Sequence, residues 1–352
     1  MNVSMPTGRT HGWGIAGEYL ATELGNLPPL EGVTLHCIRG VDLIPLLSDR
    51  WDRINIGYCF FENNIEVLRH TFRAAKEWDC IVAGSHWCEY SLRVGGIMNT
   101  ATILQGIDPE VFYPSPERHV SDRFVVFSGG KFEYRKGQDL VIAAMKVLMQ
   151  RHDDVMLSCA WHNHWPVSLA TMTLSKCIRF NPGSEANCLD TFRRVLAEND
   201  IPLDRVVLYP LVNNQIMRDI YLSTDVGLFP NRCEGGNNMV MCEYMACGRT
   251  VVASAVTGHA DVIHSGNSFP LSLYEPIVVN EGGRPSALWF EPSLDEIVES
   301  LEWAYQHRDE LEAKSMTAVT DMKKLSWKKA AEDFYDIAGT FVRKSSSAPS
   351  SI

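Results

Sequence analysis

Apolar residues in the first third of the chain fall into short runs separated by stretches with helical periodicity. Runs with the length of buried β-strands lie at 2–6, 33–38, 54–61, 80–84 and 101–105. Between Ile65 and Trp78, apolar residues recur at helical spacing and predict an amphipathic helix. A further helix is predicted from Ala16 to Leu24, directly after a glycine-rich loop.

The second half of the chain alternates between strand and helix more regularly. Its predicted strands lie at 124–127, 155–160, 206–211, 226–229 and 251–255. Its predicted helices lie at 138–151, 188–198, 215–223 and 238–247. Such alternation indicates parallel sheets covered by helices. The predicted fold class is therefore α/β, with two Rossmann-like domains facing each other across a cleft where ligands bind.

A change of composition marks the boundary between the two domains. From Tyr113 to Asp122 the chain has two prolines, several charges and few apolar residues, as expected for a linker. We expect a first domain at 1–120, a second at 121–326, an amphipathic helix at 327–343 and a disordered Ser-rich tail at 344–352. Strand-like runs at 276–279 and 288–290 have no assigned role.

Charge and composition exclude several classes of protein. The 32 basic and 43 acidic residues give a net charge of −11, so the body of the protein is a poor general binder of nucleic acid. No apolar run reaches the length of about 18 residues that predicts a membrane span. The first residues do not resemble a signal peptide, and the ten cysteines are scattered. We therefore expect a protein of the reducing cytoplasm.

A lysine-bearing loop follows the first predicted strand of the second domain. It runs from Gly129 to Gly137, precedes a helix and carries Lys131 and Lys136. Backbone N–H groups and the helix dipole favour an anion at such a place. Two cations five residues apart match a diphosphate that no metal neutralises. Ordinary surface lysines on a solvated loop are the alternative.

A second loop, from Asn231 to Asn238, also joins a strand to a helix. Its glycines permit a close approach of backbone to ligand, and Asn237 or Asn238 can cap the helix. Glu243 is the only charge in the apolar run that follows, where an ionised carboxylate is costly without hydrogen-bond donors. The adjacent hydroxyls of a ribose would supply donors, and we favour this over an ion pair in the core.

These motifs together resemble the donor domain of glycosyltransferase family four, whose members are retaining enzymes with the GT-B fold. The family has a Gly-Arg before the first loop, a Lys-Gly that closes it, and a Glu-x7-Glu element followed by Ala-x-x-x-Gly-x-Pro-Val. The corresponding residues here are Gly130-Lys131, Lys136-Gly137, and Glu234 and Glu243. The similarity extends over about 124–263.

The sequence departs from the family pattern in two places. Glu234 and Glu243 are separated by eight residues instead of seven, so the turn between them is longer. Lys131 replaces the usual arginine, which keeps the charge but loses the bidentate geometry. Arg135, beside Lys136, is therefore an alternative ligand for the phosphates.

The resemblance implies transfer of a hexose-type sugar from a UDP- or GDP-sugar to the hydroxyl of a saccharide, lipid-linked or small-molecule acceptor, with retention and without a metal or cofactor. The implied catalytic residues are Lys131, Lys136 and Glu234. The implied donor-binding residues are Gly130, Arg135, Tyr209, Val212, Gly235, Gly236, Asn237, Asn238 and Glu243. Lysines and N–H groups at the glycines would stabilise the leaving diphosphate, Glu234 would orient the sugar, and Glu243 would hold the ribose.

The first half resembles the acceptor domain of the same family less closely. Gly12, Trp13 and Gly14 stand where the family has a glycine loop facing the cleft, and a strand that ends near Glu62 points to the same place. By the same resemblance, the helix at 327–343 crosses back to complete the first domain.

Other interpretations depend on single features. Gly12-x-Gly14-x-x-Gly17 also matches a dinucleotide fingerprint, and Arg39 would permit NADP, so an NADP-dependent reductase is the runner-up. A sugar-nucleotide epimerase with the GT-B fold is a third interpretation. The reductase leaves Lys131, Lys136 and Glu243 without a purpose, and a degenerate, binding-only relative is disfavoured because both cations and both glutamates are present.

Two further segments have ordinary structural explanations. His162 and His164 lack a third metal ligand nearby, so we expect at most that His162 or Asn163 lines the cleft. The basic residues of the helix at 65–78, which are Arg69, Arg73 and Lys76, would permit membrane contact but are more typical of a solvated face.

Overall fold

The computed structural model describes residues 1–47, 51–115, 122–163, 166–183 and 187–347. In this part of the chain two parallel sheets are each packed against helices, and a separate two-stranded hairpin follows them in sequence. The predicted α/β class with two Rossmann-like units is confirmed.

The first sheet has five parallel strands that follow one another in the order of the chain. They are β1 (Asn2–Ser4), β2 (Val33–Cys37), β3 (Ile54–Cys59), β4 (Cys80–Ala83) and β5 (Thr100–Thr102). Successive residues of β3 enter different apolar clusters, Tyr58 on one face and Cys59 on the other. Because both faces are covered, the central strands are buried along their whole length, and their polar residues Thr34, His36 and Asn55 are buried with them.

The second sheet has six parallel strands in the order β11-β10-β9-β6-β7-β8. They are β6 (Phe124–Gly130), β7 (Val155–Trp161), β8 (Val206–Leu208), β9 (Val226–Phe229), β10 (Thr250–Ser254) and β11 (Phe269–Leu271). The strand order reverses between β6 and β9. Open α/β sheets bind ligands in the crevice at such a reversal.

Most predicted helices are present, with small shifts at their ends. The helices are α1 (Gly12–Gly25), α2 (Asn64–Ala74), α3 (His86–Val94), α4 (Gln138–Arg151), α5 (Pro166–Leu169), α6 (Cys188–Glu198), α7 (Met217–Leu222), α8 (Met239–Ala246), α9 (Leu294–Gln306), α10 (Leu311–Met322) and α11 (Trp327–Ser347). The sequence pattern did not predict α3, α5, α9 or α10.

Two segments predicted as loops are regular structure. The glycine-rich segment before Ala16 forms the first turns of α1, which begins at Gly12. Gly17 permits this because a Cβ there would lie 2.0 Å from the carbonyl oxygen of Pro6. β6 likewise continues through Gly130, so the lysine loop begins only after the strand.

An antiparallel hairpin lies apart from both sheets. It consists of β12 (Tyr274–Glu281) and β13 (Arg284–Pro292). Gly282 and Gly283, both with positive φ, form its two-residue turn. The strand-like runs at 276–279 and 288–290 are the central parts of these two strands.

Helix α11 packs in the core of the first domain. Trp327 and Phe334 belong to the apolar cluster of the first sheet, and the Trp327 ring stacks on Tyr19 with the ring centroids 5.5 Å apart. Just before α11, the carbonyl of Leu325 accepts a hydrogen bond from the N–H of Ile107 at 2.7 Å. The two segments that connect the domains therefore run side by side.

The predicted C-terminal tail differs from expectation at its start, and parts of the predicted tail, linker and basic helix lie outside the described residues. The tail predicted from 344 begins as helix, because α11 continues to Ser347. The rest of that tail and residues 116–121 of the predicted linker lie outside the described residues. Arg73 and Lys76 are exposed, while the side chain of Arg69 lies outside the described residues.

None of the helices within the described ranges combines the length and the apolar character needed to cross a membrane.

Candidate functional site

A cavity of about 330 Å³ lies in the cleft between the two domains. Its lining residues from the first domain are Arg9, Thr10, His11, Gly12, Trp13, Ile15, Phe60, Glu62 and Gln105. Those from the second domain are Gly130, Lys131, Arg135, Lys136, Ala160, Trp161, His162, Pro210, Leu211, Val212, Asn214, Met217, Tyr221, Glu234, Asn238, Met239, Val240 and Glu243. The lysine loop and both glutamates therefore meet in one cavity.

A tight turn after β6 places the three cations of the lysine loop. The segment Tyr134–Lys136 is one turn of 3₁₀ helix that ends at Gly137, whose φ is +75°. A Cβ at Gly137 would lie 2.2 Å from the carbonyl oxygen of Pro230, directly after β9. Glycine at this position therefore lets the loop rest on the end of β9, with its cations in the cavity wall.

Lys136 and Glu234 form a buried ion pair. The Lys136 Nζ lies 2.5 Å from Oε2 of Glu234, and Asn231 donates to the same oxygen at 2.8 Å. Burial raises the pKa of Glu234, but Lys136 and Arg135 outweigh burial and lower this pKa to about 2. Glu234 is therefore ionised at neutral pH. Burial lowers the pKa of Lys136 in spite of its partner.

Arg135 connects the two walls of the cleft. Its guanidinium lies 2.7 Å from Glu133, 3.2 Å from Glu234 and 3.3 Å from Glu62. It also donates to the carbonyl of Cys233 at 2.9 Å. Three carboxylates thus surround the residue that the sequence suggests as an alternative phosphate ligand, and one of them, Glu62, comes from the first domain.

Glu243 is held by two neutral donors. Asn214 Nδ2 donates to one carboxylate oxygen at 2.8 Å, and the Tyr221 hydroxyl donates to the other at 3.1 Å. No lysine or arginine among the described residues forms an ion pair with Glu243, so the core ion pair considered as an alternative is not found. Burial without a cationic partner raises the pKa of Glu243 to about 8.

This raised pKa predicts a pH dependence of stability. The folded protein retains a proton on Glu243 that the unfolded chain, with a carboxyl pKa of 4.5, releases. The stabilising contribution is full below pH 4.5 and is lost as pH rises to about 8. We expect Glu243→Gln to remove a slope of about 1 kcal/mol per pH unit in this window. Urea unfolding at several pH values measures the slope; parallel profiles for both proteins would contradict the assignment.

Gly235, Gly236 and Asn237 face the first domain and are not among the cavity-lining residues. The Gly235 carbonyl accepts from the Ser85 hydroxyl at 2.7 Å, and a Cβ on Gly235 would lie 2.6 Å from the carbonyl oxygen of Phe61. Asn237 exchanges hydrogen bonds with the backbone of Gln105 at 3.1 and 3.0 Å. This turn therefore joins the two domains, in contrast to the phosphate-binding role expected from the sequence.

The N-terminus of α8 lies at the cavity wall. Asn238, with φ +56°, caps α8 through its side chain and donates to Nε2 of His259 at 3.0 Å. The other ring nitrogen of His259 lies 3.2 Å from the carbonyl of Ser254, and burial lowers the pKa of this histidine to about 4. A neutral histidine thus fixes Asn238, and the helix end beside it favours an anion.

The remaining predicted residues divide between the cavity and its surroundings. Val212 lines the cavity, whereas Tyr209 packs in the apolar cluster beside the second sheet. In the first domain, Gly12, Trp13 and Glu62 line the cavity. Gly14 is buried instead, and a Cβ there would lie 2.8 Å from the carbonyl oxygen of Gly8.

Several lining residues are not apparent from the sequence. Asn214 and Tyr221, which hold Glu243, are examples. Asn214 lies shortly after β8, and a polar residue near a strand end is a usable signal. Tyr221 lies on the apolar face of α7, where nothing separates it from an ordinary core aromatic.

The histidine segment after β7 is only partly at the cavity. His162 is a lining residue, in agreement with the sequence-based expectation. Asn163 is buried and bonds to the backbone of Phe132 at 3.0 and 3.1 Å. His164 lies outside the described residues.

Comparison with known proteins identifies the class of fold. Solved structures that resemble the chain include sucrose-phosphate synthase from Thermosynechococcus elongatus, at 15% sequence identity with a TM-score of 0.64 over 94% of this chain and 79% of that one. Anabaena Alr3699/HepE in complex with UDP, at 14% identity, has a TM-score of 0.58 over 82% of this chain and 72% of that one. The chain thus has the GT-B fold.

More specific similarity is confined to part of the second domain. The family model described as glycosyl transferases group 1 matches residues 183–287, which include Glu234 and Glu243. A variant of S. aureus TarM in complex with fondaparinux, α-GlcNAc-glycerol and UDP, at 11% identity, has a TM-score of 0.61 over 91% of this chain and 58% of that one. No curated protein matches the sequence.

The reductase interpretation finds no support at this site. Arg39, which would select NADP, pairs with Asp42 at 2.6 Å on the surface and is not a lining residue of the cavity. The glycines of the candidate fingerprint belong to α1, where Gly14 and Gly17 permit close packing against the chain before the helix and Gly12 lines the cavity.

Proposed function

We propose that this protein transfers a hexose-type sugar from a UDP- or GDP-sugar to the hydroxyl group of an acceptor, with retention of anomeric configuration and without a metal. The observation that carries the proposal is the meeting of Lys131, Lys136, Glu234 and Glu243 in one interdomain cavity. The group 1 family match and the UDP held by Alr3699/HepE support it. Retention follows from the resemblance to family four.

The second-domain wall suits a nucleoside diphosphate. As the bond between the anomeric carbon and the diphosphate breaks, the electron pair leaves with the phosphate oxygen. Lys131, Lys136 and the N-terminus of α8 would stabilise that developing charge. Because Glu234 already neutralises Lys136, a bound diphosphate would compete with the carboxylate for the ammonium group.

Glu243 would hold the ribose at the apolar end of this wall. Its two donors, Asn214 and Tyr221, fix the carboxyl group while leaving it in the cavity wall. Two adjacent ribose hydroxyls can donate to the same group, and their hydrogen bonds favour its ionised form. Donor binding would then release a proton near neutral pH.

The first-domain wall would receive the acceptor. Trp13 lines the cavity and is supported by Phe60, with ring centroids 4.7 Å apart. Glu62 adds to the same wall a carboxylate that can accept hydrogen bonds, and Gln105 adds an amide. Contacts between the domains at Gly235 and Asn237 keep the cleft closed around the reactants and limit hydrolysis.

Ligand-dependent unfolding tests the nucleotide requirement. We expect UDP or GDP, in EDTA, to raise the unfolding temperature, because a ligand at 100 times its Kd stabilises by about 2.7 kcal/mol. ADP, NADH and NADPH serve as controls. A shift of the unfolding temperature with NADPH alone would favour the reductase. In a separate assay with a nucleotide sugar and an acceptor, a product without a new glycosidic bond would favour the epimerase.

A further inference from the structure

The hairpin of β12 and β13 contacts three consecutive residues of the first domain, which are Glu62, Asn63 and Asn64. Trp289 Nε1 donates to the carbonyl of Glu62 at 2.9 Å. The N–H of Leu288 donates to Asn64 Oδ1 at 2.9 Å, and Asn63 Nδ2 donates to Glu281 at 3.1 Å. Two-stranded hairpins are marginally stable on their own. The attachment to the first domain therefore helps to hold the hairpin in place.

The base of the same strand holds the second domain through Arg232. Glu291 on β13 accepts from Arg232 at 2.5 and 2.8 Å, and the N–H of Phe290 donates to the Arg232 carbonyl at 3.0 Å. The Arg232 side chain is fully buried and also forms a bidentate pair with Asp139 at 2.7 and 2.8 Å. A salt bridge this buried fixes geometry more than it adds stability.

Arg232 in turn carries the lysine loop. Its backbone N–H donates to the carbonyl of Arg135 at 2.8 Å, and its guanidinium donates to the carbonyl of Tyr134 and lies over the Tyr134 ring. Tyr134 and Trp289 also share one small apolar cluster, against which Trp87 of the first domain packs. One strand, β13, is thus attached to Glu62 on one side and to the turn that bears Arg135 and Lys136 on the other.

These two attachments meet at the 3.3 Å contact between Glu62 and Arg135. We infer that the hairpin is a positioning element of the cleft, in which Trp289 and Glu291 hold Glu62 of the first domain against Arg135 and thereby set the place of the Lys136–Glu234 pair. The inference rests on the proposed function, because it assigns the hairpin to sugar transfer. Trp289 and Glu291 are positioning residues, since they act through Glu62 and Arg232.

Trp289→Phe tests the inference by removing the Nε1–H donor together with part of the indole ring, while a phenyl ring still fills part of the apolar cluster with Tyr134. A neutral hydrogen bond is worth about fivefold in an equilibrium, so we expect kcat/KM for the acceptor to fall by about fivefold. Trp303→Phe is the matched control, because Trp303 packs partly buried against the core of the second domain beside Phe269 and loses the same ring atoms; it should leave kcat/KM unchanged.

A double-mutant cycle separates positioning from general stabilisation. If Trp289 acts through Glu62, adding Trp289→Phe to Glu62→Gln should cost much less than it costs in the wild-type protein. If Trp289 has only a structural role, the factors by which the two single substitutions lower kcat/KM should multiply in the double variant. That result would overturn the inference.

Hydrogen exchange provides a readout that does not need activity. The amides of Glu66 and Val67 bond to the carbonyl of Asn63, in the segment that the hairpin holds. We expect Trp289→Phe to accelerate their exchange by about fivefold and to leave α9 unchanged. Unchanged exchange at these amides would overturn the positioning. If the wild-type protein transfers no sugar, the proposed function is overturned. The effect of the hairpin on sugar transfer then falls with it, while the positioning of Glu62 by the hairpin is still tested by hydrogen exchange.

Discussion

Replacing Lys136 by alanine is expected to reduce sugar transfer by about 100- to 1,000-fold. The buried ammonium group of Lys136 is one of the few cations placed to stabilise negative charge on the leaving diphosphate. In enzymes that stabilise a negatively charged transition state, removal of one donor lowers kcat by about 100- to 1,000-fold. Glu234 would keep Arg135 at 3.2 Å and Asn231 at 2.8 Å, so its charge stays paired and the fold is retained.

The matched control is Lys146→Ala. Lys146 also pairs with a carboxylate, Asp200, at 2.7 Å, but on the surface, where such pairs contribute about 0–1 kcal/mol. Both variants are to be compared by steady-state transfer and by the midpoint of urea unfolding. Wild-type turnover in Lys136→Ala would exclude the proposed role of the lysine loop, whereas equal losses of turnover and stability would assign Lys136 to the fold.

Glu243→Gln is expected to weaken nucleoside-diphosphate binding by about 10- to 100-fold. Glutamine is close in shape to the protonated carboxyl held by Asn214 and Tyr221 but cannot become a carboxylate, so it would offer the ribose one acceptor oxygen in place of two. The ribose would also lose an ionisable acceptor. Calorimetric titration with UDP and GDP measures the change.

Glu198→Gln is the control for this second prediction. Glu198 pairs with Arg194 at 3.0 Å near the end of an exposed helix face, away from the residues that line the cavity. An unchanged affinity in Glu243→Gln would mean that Glu243 only completes the core with Asn214 and Tyr221. Proton release on binding, measured in buffers of different ionisation enthalpy, should also disappear in Glu243→Gln.

The strands and the two-domain arrangement can be predicted from the sequence because their signals are local. The run Ile54–Cys59 is apolar apart from Asn55 and is buried at every position, which is typical of a strand covered on both faces. The lysine loop and the two glutamates are also recognisable, because short motifs at strand ends are brought together by the parallel topology.

What the sequence does not predict depends on contacts between distant segments. Gly14 and Gly17 suggest a loop, yet their close packing against residues before the helix stabilises helical structure and overrides the low helix propensity of glycine. Gly235 and Gly236 suggest a phosphate-binding turn, and the first domain occupies the space beside them. The role of Trp289 is equally invisible, because its partner Glu62 lies in the other domain.

The position of α11 also has a consequence for the order in which the protein folds. Phe334 and Ala338 fill the same core as Leu20 and Tyr58, although the whole second domain separates them in sequence. During synthesis the first domain therefore emerges from the ribosome first and acquires its complete core last, the reverse of the usual order. Expressing residues 1–115 alone would leave that core open to solvent. Cutting the chain at the linker would therefore destabilise the first domain, because it would lack α11.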